Sequence, residues 1–147
     1  MNRPRWESSK HLWHADGSLR DLYIRETSLA DWRRLMEVVA GYKCEYLFDG
    51  RPSPLPKVEE IFKNRDRTHL LRIHVGSVTV NSHFFVPEEI ELDIDPREIR
   101  GPQEHAEVLM FLENVAHKLN KPIILAPENT PDRPYVSYQP SQKVWTQ

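Results

Sequence analysis

Apolar and polar residues alternate most cleanly between positions 69 and 86. Gly76-Ser77 suits a two-residue turn with glycine first, and the register it sets places Val75 opposite Val78, Ile73 opposite Val80 and Leu71 opposite Ser82. Those residues form one face of a strand pair, and Arg72, His74, Thr79, Asn81 and His83 form the other. A sheet that is buried on one side and wet on the other requires this alternation. Residues 89–95 repeat it, with Ile90, Leu92 and Ile94 inward and Glu91, Asp93 and Asp95 outward. Paired beside the strand from 78 onward, this segment brings Glu91 and Asp93 next to the basic groups, where cross-strand charge pairs form.

Helical spacing marks two longer segments. Leu29, Trp32, Met36 and Val39 share one face over 27–39, with Ser28 and Asp31 placed as a capping box. Val108, Leu112, Val115, Ala116 and Leu119 do the same over 103–119, and Lys121-Pro122 ends the run. Pro56 opens a third, short helix over 57–63. Residues 42–48 and 123–125 read as strands, and Asp16-Gly17 predicts a hairpin between 12–14 and 19–25.

The predicted order is ββ-α-β-α-βββ-α-β, an α+β fold with a mostly antiparallel sheet of about six or seven strands and three helices packed on one face. One parallel pair is allowed where the last helix crosses to Ile123. Residues 1–9 are expected to be a flexible segment and 10–128 a single domain. Residues 129–147 are expected to be a Pro-rich tail, because prolines 127, 131, 134 and 140 forbid a continuous helix.

Composition narrows the picture in three ways. Apolar residues make up 39% of the 147, which supports one core of modest size. Twenty Lys and Arg against 22 Asp and Glu leave a net charge of −2, so a nucleic-acid role is not expected. Lys63, Arg65, Arg67 and Arg72 are the only basic cluster, and Asp66 interrupts it. Cys44 is the sole cysteine, which excludes an internal disulfide and any zinc site built on two thiolates. Neither an apolar leader segment nor a run long enough to span a bilayer is present, so the expected location is cytoplasmic, without membrane attachment.

The polar face around Arg72, His74, Asn81 and His83 is the leading ligand-binding candidate, since Arg and His offer donors to an anion. A metal set would draw on His74, His83, Asp93 and Asp95, whose donor atoms suit Zn, Fe or Mn. No compact ligand motif accompanies them, so no metal or cofactor is assigned. His14 and Asp21 would face each other diagonally in the first hairpin, the arrangement of an oriented general base, with Trp13 facing Arg20. Cys44 alternates with Tyr42, Tyr46 and Phe48 and is read as buried and inert. Tyr135 and Tyr138 are expected to strap back over the core, with Trp145 open to either role.

The stretch Leu12-Trp13-His14-Ala15-Asp16-Gly17-Ser18-Leu19-Arg20-Asp21-Leu22-Tyr23, with Asp31-Trp32 downstream, resembles the opening of a small bacterial α+β family of unknown function. The ending from 111 to 128, a helix running into Lys-Pro-Ile-Ile-Leu-Ala-Pro-Glu, is similar in layout to the last helix and strand of some toxin-immunity proteins. The first resemblance implies no activity, the second implies a protein partner, and neither assigns a role to a residue. The expectation is therefore a non-catalytic binding or protein-interaction module, with immunity-type function in view. The alternative is a small hydrolase or metal-dependent enzyme using His74, His83 and Asp93. A third reading is anion or nucleotide binding by Arg72 and His74. A homo-oligomer through an exposed edge strand is left open.

Overall fold

The computed structural model describes residues 3–147. It is an α+β fold built on a nine-stranded sheet with strand order β3-β2-β4-β5-β6-β1-β7-β8-β9 and only antiparallel neighbours. The strands are β1 (Arg20–Arg25), β2 (Lys43–Phe48), β3 (Arg51–Ser53), β4 (His69–Val75), β5 (Val78–Ser82), β6 (Glu89–Ile94), β7 (Ile123–Pro127), β8 (Val136–Gln139) and β9 (Val144–Thr146). The helices are α1 (Trp6–Ser9), α2 (Leu29–Val39), α3 (Val58–Lys63) and α4 (Pro102–Leu119). No described helix is long and apolar enough to cross a membrane.

The central hairpin forms in the register that the alternation predicts: Val75 pairs with Val78, Ile73 with Val80 and Leu71 with Ser82. Gly76 makes its turn with φ of +62°, and a Cβ there would lie 1.5 Å from the Glu107 carboxylate, so the position has no room for a side chain. The inward residues of β1, β4, β5, β6 and β7 join Trp32, Leu35, Val108, Leu112 and Val115 of α2 and α4 in one core. The capping box of α2 is present, with the Ser28 N–H donating to Asp31 at 3.1 Å. Helix α4 starts on Pro102 and ends at Asn120 in a left-handed turn, where the Lys121 N–H reaches back to the Ala116 carbonyl.

The nine strands and four helices exceed the six or seven and three expected, and the connections differ as well. Helix α4 does connect strands of like direction, β6 and β7, but β1 is inserted between them and pairs antiparallel with both. No parallel pair results. The first hairpin is also absent: Lys10–Trp13 is a 3-10 turn, and only β1 remains of the predicted pair. Arg20 gives the reason. Its fully buried guanidinium donates to the Leu12 carbonyl at 2.5 Å and to the His14 carbonyl at 2.6 Å, so those acceptors serve a side chain instead of a ladder.

The N-terminal residues 3–13, expected to be loose up to residue 9, are packed against α4. His105 accepts the Trp13 indole N–H at 3.0 Å through Nδ1 and donates through Nε2 to the Pro4 carbonyl at 2.8 Å. Arg3 forms a two-pronged pair with the buried Glu113 at 3.0 and 2.7 Å. The Pro-rich tail after residue 128 forms two further strands, with Tyr138 in the core and Tyr135 packed against it. Its prolines 131, 134 and 140 fall in the connections, so no ladder bond is lost to them. Tyr138 and Trp145 are buried, their rings 4.9 Å apart, and the Trp145 indole N–H donates to Glu113 at 2.8 Å. Both outermost strands, β3 and β9, are three residues long, and β3 carries Pro52.

Candidate functional site

The helices cover one face of the sheet, and the alternation that fills the core leaves the other face to polar side chains. Register aligns these in rows. Glu45, Arg72, Asn81, Asp93 and Asp21 stand side by side across β2, β4, β5, β6 and β1. Lys43, His74 and Thr79 form the neighbouring row on one side, and Tyr23 stands beside Glu91 on the other.

A groove of about 480 Å³ runs over the middle of this face and is lined by Arg72, His74, Thr79, Asn81, His83 and Asp93, among others. All four candidate residues of the sequence reading meet in it. Asn81 donates to Asp93 Oδ1 at 3.0 Å, and His83 Nε2 lies 3.1 Å from the other oxygen. His74 Nε2 lies 3.1 Å from Glu45 across β2. The hydrogen bond to Asp93 raises the His83 pKa above its ordinary value, against the opposing effect of burial. His83 therefore keeps its positive charge further toward neutral pH than a free imidazole. Arg72 is exposed, and among the described residues no hydrogen bond or ion pair engages its guanidinium.

Beside the groove the face turns acidic. Asp21 is buried, and one of its oxygens accepts both the Tyr23 hydroxyl at 2.8 Å and the Asn129 N–H at 2.7 Å. Burial pushes the Asp21 carboxyl up, more than these hydrogen bonds lower it. Glu91 is pushed up to about 7, first by burial and then by the charges of Asp21, Glu89 and Asp93. Like charges opposite one another in a sheet are destabilising.

The sign of the Glu91 effect follows from linkage. Between its ordinary pKa and about 7 the folded chain holds a proton that the unfolded chain has released, so stability falls as pH rises through that window. Glu91→Gln is expected to stabilise the protein at pH 8 by about 1 kcal/mol, after allowing for solvent screening, and to change little at pH 4. Thermal melts at the two pH values check this; an equal shift at both would show that Glu91 acts through packing instead.

The hydrolytic sets read from the sequence assemble only in part: His83 meets Asp93, with His74 elsewhere in the same groove. His74, His83, Asp93 and Asp95 all line the groove, but among the described residues no group of three or more His, Cys, Asp or Glu is placed to hold a metal ion. His14 is exposed and shares no hydrogen bond with Asp21, because the hairpin that would pair them does not form. Arg67, from the basic cluster, is bound to Asp49 and lies 5.0 Å from the Phe48 ring. Cys44 is half-buried against the core.

Comparison with family models, curated proteins and solved structures finds no match to this chain. The site is therefore read from its own side chains. A larger cleft, about 790 Å³, lies between α2 and α3 with Met36, Leu55, Pro56 and Val58 in its lining. It gathers none of the polar-face groups, and its Arg33 and Glu59 are already paired with each other. The groove on the sheet, though smaller, is the one that gathers the polar-face groups. Sequence reasoning missed Asp21 and Tyr23 as members of this face. Their signal was the alternation of Asp21 and Tyr23 with Leu22 and Ile24, obscured by the turn dipeptide just before them.

Proposed function

We propose that this chain is a non-catalytic protein-interaction module and that its contact surface is the open face of the sheet around Arg72. The unengaged Arg72 guanidinium, standing in a groove on the uncovered face, carries this reading. Arginine is enriched among the residues that dominate binding energy, because its planar donors lose little freedom when they find acceptors. The groups around it are already hydrogen-bonded to one another and form the polar rim that such surfaces have. The layout shared with toxin-immunity proteins at residues 111–128 points the same way.

Native mass spectrometry on protein purified gently from its source cells tests the proposal. A stoichiometric protein partner is expected, and Arg72→Ala is expected to weaken its binding about tenfold or more without unfolding the chain. A partner retained equally by Arg72→Ala places the contact elsewhere, and a bare chain mass counts against the proposal as a whole.

One observation favours hydrolysis as a second reading: the His83–Asp93 pair at 3.1 Å inside the groove. A carboxylate that orients an imidazole is the arrangement of a general base. Here the same bond favours the protonated imidazole, which suits an ion pair better than a base. Ester turnover by the purified chain that disappears in His83→Ala would decide for the enzyme.

A further inference from the structure

The open face has an apolar corner at the loop after β5. Of the large apolar residues exposed among the described ones, Phe85 and Val86 are adjacent, at 48% and 45% exposure. They form the tip of the loop between β5 and β6. Phe84, just before them, has φ of +55°, a conformation that a bulky residue adopts only when its surroundings enforce it.

Those surroundings are specific. The Phe84 ring is fully buried, 5.4 Å from Trp32 and 6.1 Å from Phe62. Behind the tip, the Thr27 hydroxyl and the Trp32 indole donate to the Pro87 carbonyl at 2.7 and 3.0 Å, and the Thr27 N–H donates to the Glu88 carbonyl at 3.0 Å. Phe84 turns inward, and Phe85 is left outside on a loop fixed at both shoulders. A fixed apolar tip loses little freedom when a partner covers it.

The tip is joined to the groove. Phe85 stacks on His83 with ring centres 5.4 Å apart, and His83 holds Asp93. Val86 bridges to Glu89, and Glu91 follows on the same face. Glu89 has Arg25 at 3.7 Å, whereas no described cation pairs with Glu88 or Glu91. An anionic lipid surface or an acidic protein would meet these carboxylates with repulsion.

Resting on the interaction reading, we infer that the Phe85–Val86 tip and the carboxylates beside it dock a basic, amphipathic segment of a partner protein. Its apolar side chains cover Phe85 and Val86, and its Lys or Arg side chains lie among Glu88, Glu89 and Glu91. The partner thereby brings cations to Glu88 and Glu91, which no described cation meets in a salt bridge.

The probe is an amphipathic peptide of Leu and Lys, titrated against the full chain by fluorescence anisotropy. The same peptide with Glu in place of Lys is the control. At pH 8, where Glu91 is ionised, the Lys peptide is expected to bind, about tenfold or more weaker to Phe85→Ser and to Glu91→Gln, and the Glu peptide is expected not to bind. Phe85 is exposed and Glu91 is half-buried on the open face, away from the core, so the variants keep the wild-type circular dichroism. Equal affinity for wild type and Phe85→Ser overturns the inference, as does failure of the Lys peptide to bind. A wild-type dimer in sedimentation that Phe85→Ser dissolves also overturns it, because the tip would then be a contact between copies. A partner found by native mass spectrometry that depends on Arg72 but not on Phe85 leaves the interaction reading standing while this inference falls.

Discussion

Arg20→Ala is expected to lower the stability of the protein by about 3–5 kcal/mol, corresponding to a melting temperature roughly 10 °C or more below wild type. The size follows from what the guanidinium holds. It is 1% exposed and donates to the carbonyls of Leu12, His14 and Leu19 and to the Ser18 hydroxyl. Tyr135 lies over it at 5.7 Å. Truncation leaves the buried Leu12 carbonyl and the part-buried His14 and Leu19 carbonyls without this donor, and each costs about 1–3 kcal/mol unless water reaches it. It also removes the centre around which residues 12–19 are wound. Arg20→Lys is expected to recover less than half of the loss, since one ammonium cannot span acceptors on both sides of a planar fork. Urea melts of the three proteins measure this, and a lysine variant as stable as wild type would show that charge alone is needed.

Glu113→Ala is expected to cost about 3 kcal/mol and to loosen both ends of the chain together. Glu113 is 4% exposed, and its carboxylate accepts the Arg3 guanidinium and the Trp145 indole N–H. Burial pushes its carboxyl up, but the hydrogen bonds from Arg3 and Trp145 outweigh this and hold it below the usual carboxylate range. A depressed carboxyl stabilises the fold above its unfolded-state pKa, and the contribution is lost as pH falls through the folded-state value. The variant should therefore differ most from wild type at neutral pH and least in acid. Hydrogen exchange locates the effect. Protection is expected to fall at 3–13 and at 136–146 in the same variant, and loss at one end alone would mean that the two attachments are independent.

The parts of the fold that were legible in the sequence are those whose cause is local. The β4–β5 register follows from an alternation and a glycine turn within 14 residues, and the α2 cap from Ser28 and Asp31 three positions apart. The groove followed because the same alternation that buries Leu71, Ile73 and Val80 turns Arg72, His74 and Asn81 outward. What escaped depends on distant partners. The Asp16-Gly17 dipeptide is a sound turn signal, yet Arg20 draws the preceding carbonyls away from pairing. Strands β8 and β9 lie in a segment whose prolines argue against regular structure, and distant partners, β7 together with Glu113 and His117 of α4, give them something to dock on. Trp145 could not be placed from its neighbours, because its bonding partner lies 32 positions earlier.

The two short outer strands have a consequence for handling the protein at high concentration. A broad sheet with a bare margin is a template on which further chains can stack into fibrils. Here one margin contains Arg51 and Pro52, which add a charge and remove a donor, and the other offers only Val144, Trp145 and Thr146. Neither gives an incoming chain the six or so residues of continuous pairing on which ordered aggregates depend. Colloidal stability is thus guarded at the rims of the sheet, and clouding of concentrated solutions should respond to changes at the Phe85 tip before it responds to changes at either rim.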